Sequence, residues 1–232
     1  MELSYLESLE KKYDFQYPDL YKLLCKDGML DTGKFGSGWV DRNYERIKDN
    51  PIFLIWSSDV EAIEEFGFED YIEDIKDPEM WWNIKPELKL IPFAQNGGGD
   101  WYCFYYNEQQ GDDIPVIMIY HDADDFVVLA KNLQDFIFRA ILETASSFYM
   151  SVYNENKLNK ILWDARSMLM SHKKYMTEKQ AAVLEDIYSK EPQKYGKVTW
   201  GLLSEDETNR IIKQEIDFPL LDKEIQYVKD DE

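Results

Sequence analysis

LIPFAQNGGGDWYCFYY, residues 90–106, and IPVIMIYHDADDFVVLAKNLQDFIFRAI, residues 114–141, decide the fold. Leu90 to Phe93 reads as a short strand. Gly97, Gly98 and Gly99 then permit positive φ and a tight turn into Trp101. Trp101 to Tyr106 is aromatic throughout, the pattern of a strand buried on both faces. Val116 to Tyr120 forms a third strand. Asp122 to Asp125 supplies turn residues, and Phe126 to Leu129 forms a fourth strand. An antiparallel meander is predicted. Asn132 next caps a helix with inner face Leu133, Phe136, Ile137, Ala140 and Ile141. Trp101, Phe104, Val116, Met118, Tyr120, Phe136 and Ile137 are the expected core.

Upstream, helices are predicted over residues 3–12 and from Pro18 to the stop at Gly28. Residues 31–50 have no clean period and read as loop with a short helix. Ile52 to Trp56 reads as a strand, and Ser58 with Glu61 as a capping box. Phe68, Tyr71, Ile72 and Ile75 fall at i, i+3, i+4 and i+7, an amphipathic helix. Downstream, Phe148, Val152, Leu158, Ile161 and Leu162 read as one or two further helices. Capping boxes at Thr177/Gln180 and Ser204/Glu207 open two more, and Lys229 to Glu232 are expected to fray.

Charge divides the chain. Residues 1–144 hold 13 basic and 30 acidic side chains; residues 145–232 hold 13 and 16. The expected organisation is an α+β domain over residues 1–144 and a helical C-terminal extension over 145–232, packed on it. The expected sheet is mixed and largely antiparallel, flanked by helices. Trp163, Leu169, Leu184, Trp200 and Leu203 are the extension's expected covered positions.

The net charge of −20 over 232 residues argues against nucleic-acid and anionic-membrane partners, because the field repels phosphates. The longest stretch without Asp, Glu, Lys or Arg, Thr144 to Asn154, is too short for a membrane span of about 18–20 residues. The N-terminal residues lack the apolar segment of a signal peptide, so a cytoplasmic location is expected. Cys25 and Cys103 make neither a metal-ligand spacing nor a disulfide framework, and read as reduced core residues.

Catalytic motifs fail one by one. Gly28, Gly33 and Lys34 approach a phosphate loop, but Phe35 stands where a magnesium-binding hydroxyl is required. An EF-hand read from Asp122 would need its glycine at Val127 and its glutamate at Leu133. His121 adjoins Asp122, but adjacent strand residues point to opposite faces. His172 lies in a Lys-rich helical context and reads as a surface residue. No cofactor, metal or catalytic residue is expected.

Taken together, the quoted segments resemble the SUKH superfamily. That group includes fungal cell-wall assembly regulators and many bacterial immunity proteins. The resemblance rests on Ile91-Pro92-Phe93, Gly98-Gly99-Asp100-Trp101, Pro115-Val116 through His121-Asp122, and Leu129-Ala130 to Phe136. The opening FQYPDLYKLLCKDGML is similar too; Asn132 replaces the usual Ser cap, and residues 33–89 match poorly. It implies an α+β binding protein without catalysis, whose bacterial members bind and block a cognate toxin, often a nuclease. It marks the turn residues Gly97, Gly98, Gly99, Asp100, Trp101, His121 and Asp122. An acidic inhibitor suits a basic nuclease surface. The alternatives are a scaffold of the cell-wall regulator type and a metal-dependent hydrolase using Asp100, Asp122 and Asp124.

Asp59 to Glu79 holds ten acidic residues and one basic, Lys76. The expected docking strip for a cationic protein, such as a toxin domain, is Glu61, Glu64, Glu65, Glu69, Asp70, Glu73, Asp74 and Asp77. Trp81 and Trp82 stand as aromatic anchors.

Overall fold

The computed structural model describes residues 1–34, 36–63, 67–77, 84–150 and 153–227. The helices are α1 (Leu3–Tyr13), α2 (Asp19–Lys26), α3 (Trp39–Ile47), α4 (Phe68–Lys76), α5 (Leu133–Ser146), α6 (Glu155–His172), α7 (Glu178–Tyr188) and α8 (Glu205–Glu215). The strands are β1 (Glu61–Ala62), β2 (Leu90–Gln95), β3 (Trp101–Tyr105), β4 (Val116–Ile119), β5 (Asp125–Ala130), β6 (Phe148–Tyr149), β7 (Gln193–Lys194), β8 (Thr199–Gly201) and β9 (Glu224–Gln226). This is an α+β fold with a helical C-terminal part.

The chain divides into two compact units, one made of residues 1–35, 61–136 and 218–232, the other of 36–60 and 137–217. The boundary expected at residue 144 does not coincide with this division. The reason is that both the 36–60 segment and the C-terminal tail make their contacts far from their sequence neighbours.

In the first unit, β2 to β5 form the predicted meander. β1 and β9 extend it to six antiparallel strands in the order β1-β2-β3-β4-β5-β9. β3 is buried along its whole length, as its aromatic run requires. Pro92 has no N–H to give a neighbouring strand, and the β2–β3 register shifts between Pro92 and Ala94. The Phe93 ring stacks on Phe104 at 4.4 Å and meets Phe136 edge-on at 5.5 Å. Tyr21, from α2, packs on Phe93 and Phe104. The other sheet face carries a second cluster around Cys103, Ile117, Ile119, Phe126 and Tyr227. Both faces of β4 are thus covered, and Met118 and Tyr120 are only half-buried while Ile117 and Ile119 are buried. Cys25 and Cys103 are free and buried.

Asn132 caps α5 as predicted: its Oδ1 accepts the Asp135 amide at 3.0 Å. All five expected inner-face residues of α5 are buried. The two predicted capping boxes, Thr177/Gln180 on α7 and Ser204/Glu207 on α8, are both formed.

The second unit corrects several expectations. Ile52–Trp56 is not a strand. Phe53 to Trp56 form turns, and Leu54 takes a left-handed conformation at φ 49°. That geometry is held by His172, which is fully buried and not on the surface. The Leu54 amide donates to His172 Nε2 at 3.0 Å, and His172 Nδ1 lies 2.9 Å from the Met168 carbonyl. A carbonyl only accepts, so Nδ1 carries the proton and Nε2 is the acceptor. Burial pushes this imidazole down to about 4. Ser58 opens no helix: its amide donates to Thr144 Oγ1 at 3.1 Å, and Glu61 lies in a strand.

Phe148, expected on a helix, begins a small antiparallel sheet of order β6-β8-β7. Gly201 in β8 passes so near the end of α5 that a Cβ there would stand 2.8 Å from the Ser146 carbonyl. Leu169, Leu184 and Leu203 are buried and Trp200 is half-buried, but Trp163 is 58 % exposed, outside the buried face of α6. Val152 and Lys229 to Glu232 lie outside the described residues.

Candidate functional site

The Gly-rich turn between β2 and β3 is organised by Asn96. Its side-chain oxygen accepts the Gly98 and Asp100 amides, each at 2.9 Å, and its amide donates to Asp100 Oδ2 at 2.8 Å. Gly99, at φ 99°, closes the turn in a conformation that side chains disfavour. Asp100 Oδ1 then accepts the His121 amide at 2.9 Å, and the His121 ring Nδ1 stands 2.7 Å from it. Asp100 thus ties the β2–β3 turn to the end of β4. His121 pairs with Asp100, 21 residues away, and not with its neighbour Asp122.

Partial burial opposes the charge on Asp100. Hydrogen bonds from the His121 amide, the His121 ring and Asn96 outweigh it, so the carboxyl sits below the usual carboxylate range. The bond to Asp100 raises the His121 imidazole above its ordinary value. Asp100, His121 and Asp122 can bring one ligand atom each within 4.8 Å of the others. Both Asp100 oxygens are already engaged by Asn96 and His121, so the trio is first a structural clasp.

The acidic strip lies on α4. Glu69 and Asp70 sit in its first turn, where the helix dipole favours them. Glu73, Asp74 and Asp77 sit near its C-terminal end, where the dipole does not. Lys12, from α1, approaches Glu73 at 3.1 Å and Glu69 at 3.6 Å, and the Tyr13 hydroxyl donates to Glu73 at 2.7 Å. These bonds, Tyr13 first, hold the Glu73 carboxyl below its ordinary value. Asp74 is shifted the other way, by partial burial and then by Asp70, Asp77 and Glu73. The strip therefore splits into a neutralised edge, Glu69 and Glu73, and a crowded edge, Asp70, Asp74 and Asp77. Glu64, Glu65, Trp81 and Trp82 lie outside the described residues.

The strip and the Gly-rich turn meet at one end of the sheet. Tyr71 of α4 donates its hydroxyl to Gln95 at 2.8 Å and packs edge-on to Trp101 at 4.6 Å. Glu61 pairs with Gln95 across β1 and β2, and a Cβ on Gly97 would lie 3.6 Å from its carboxylate. Tyr227, just after β9, donates to the Ala123 carbonyl at 2.6 Å and braces the β4–β5 turn that carries Asp122 and Asp124. Burial, followed by the field of Asp124, Asp125, Asp100 and Asp122, raises this phenol to about 12.

Sequence reasoning missed Asn96, Tyr71, Lys12 and Tyr227. Asn96 had a legible signal, since an Asn heading a Gly-rich turn forms an Asx turn. The others act over 24 to 104 residues of separation and leave no local pattern.

Counted by unit, the charge separates further than any cut of the sequence showed. The first unit holds 30 acidic and 11 basic residues, a net of −19; the second holds 16 and 15, a net of −1. Among the described residues no helix is long and apolar enough to cross a membrane.

The resemblance implied an α+β domain with a mixed sheet flanked by helices. The α+β frame is present, but every pairing in the six-strand sheet is antiparallel, and the family comparison agrees with the resemblance. The model of the SMI1 / KNR4 family (SUKH-1) matches residues 2–139, more than half of the chain. The chain belongs to this family, and the match includes the stretch 33–89 that resembled it least. No curated protein and no solved structure matches it.

Proposed function

We propose that this protein is a non-catalytic, acidic binding protein that neutralises a cationic protein, a bacterial toxin of the nuclease type, in the cytoplasm. The observation that carries the reading is the concentration of charge: −19 in the unit that holds most of the family match, against −1 in the other. Such a field accelerates encounter with a basic surface and mimics the phosphates that surface is built to hold. The crowded edge Asp70, Asp74 and Asp77, joined through Tyr71 to the Gly-rich turn, is the docking surface. Folding alone gives no reason to keep these like charges three and four residues apart.

The test is affinity capture from the native host, followed by stopped-flow association with the retained protein. The reading expects a basic protein whose toxicity the chain abolishes. Changing Asp70, Asp74 and Asp77 together to Lys should slow association at low salt by at least about tenfold and flatten its salt dependence. Capture of only neutral or acidic proteins, or an unchanged association rate, would overturn it.

A further inference from the structure

The acidic unit also contains a cleft lined by three lysines. Between the end of α1, the end of α4 and the start of β2 lies a cavity of about 550 Å³. Its apolar wall includes Ile75, Ile84, Leu88 and Leu90. These residues form the outer edge of the core cluster around Cys103 and Phe126. Three lysines line the same space: Lys76, Lys85 and Lys89. Among the described residues Lys76 and Lys85 form no salt bridge. The Lys76 ammonium instead sits 4.6 Å from the centre of the Tyr13 ring. Lys89 spends one donor on the Asp14 carbonyl, at 2.5 Å.

Cations in this arrangement are held at a cost. Burial, and then the neighbouring charge of Lys89, lowers the ordinary basicity of Lys76. An anion bound in the cleft would offset the repulsion from Lys89. The volume falls in the range of small-molecule sites, about 300–1,000 Å³, and not of a flat protein contact. Asp14 and Asp77 also line the cleft. Glu73 also acts on Lys76 from beside the cleft, and carboxylates this close disfavour a phosphate dianion more than a single negative head.

From this juxtaposition we propose that the cleft binds a small organic carboxylate: one anionic head against Lys76 and Lys89, one apolar tail along Ile75, Ile84 and Leu88. The cleft shares Asp77 with the edge of the docking surface proposed above, but its lysines and apolar wall lie outside that surface, and the inference does not rest on that reading.

Decanoate is the probe, with decanol, acetate and inorganic phosphate as controls for head, tail and charge. In calorimetric titration of the full chain, decanoate should bind saturably at one site, and each control at least about tenfold more weakly. Methyl groups of Ile75, Ile84 and Leu88 should shift in NMR spectra as it binds. Changing Lys76 and Lys89 to Met should weaken decanoate by about tenfold or more, with the melting temperature and circular dichroism preserved. A double variant that fails to fold would be replaced by Lys76→Gln alone, from which a smaller loss is expected. Equal binding of decanol, methyl shifts elsewhere, undiminished binding by the variants, or no saturable binding would each overturn the assignment.

Discussion

Two histidines stand in opposite electrostatic settings. His172 is fully buried and neutral, with its imidazole pushed down to about 4. The unfolded chain binds that proton near pH 6.5, so folding is fully favoured above 6.5 and loses stability as pH falls towards 4. The shift corresponds to about 3 kcal/mol at its low-pH limit. Urea titrations from pH 7 to 4 should show this decline, and His172→Leu should flatten it. That variant should also be less stable at pH 7 by about 1–3 kcal/mol, since it strands the buried Leu54 amide. His121 is raised by Asp100, so its contribution is present below 6.5 and fades as pH rises through its elevated value. Lowering pH far enough to protonate Asp100 removes the contribution from the other side. NMR titration should place His121 above 6.5, and Asp100→Asn should return it to the ordinary range. An unmoved His121 in that variant would show that the clasp is not electrostatic.

Among the elements, α4 and β8 make contrasting demands. On α4 the like charges of Asp70, Asp74 and Asp77 oppose helix formation, and partial burial followed by its acidic neighbours raises the Asp74 carboxyl. Asp74→Asn should therefore stabilise the protein by about 0.2–0.5 kcal/mol; chemical denaturation would detect it. A loss of stability would mean that Asp74 is structural, and would weaken the case for this edge as a surface kept for binding. In β8 the constraint is steric. Gly201 faces the Ser146 and Ala145 carbonyls at 2.8 and 3.0 Å from where a Cβ would stand. Those are backbone atoms that cannot swing aside, and the Leu202 amide is bonded to the Ala145 carbonyl at 2.7 Å. Gly201→Ala should cost about 1–3 kcal/mol, read as a lowered denaturation midpoint.

The whole molecule is stitched from distant pieces of chain. β9 pairs with β5 through Phe126↔Ile225 and its neighbours, and Tyr227 completes the cluster beneath the sheet. A chain ending at residue 217 would expose the β5 edge and leave Phe126 without that cover. It should melt lower than the full chain and aggregate more readily, as scanning calorimetry with light scattering would show. An unchanged melting temperature would mean that β9 adds nothing to the unit.

The meander from Leu90 to Ala130, the Asn132 cap and the two capping boxes were legible because each depends on contacts within a few residues. Strand alternation, turn glycines and cap spacing are local codes. The acid strip was legible for the same reason, being composition on one helix. Which of its carboxylates stay crowded was not, because Lys12 reaches Glu73 across 61 residues. Nor could sequence show that Leu54 turns left-handed: its neighbours Ile52, Phe53, Ile55 and Trp56 read as strand, and the buried His172 partner is 118 residues away. Periodicity reports which face of an element is apolar. Only the tertiary structure decided what meets that face, because distant groups were selected together without leaving a spacing to read.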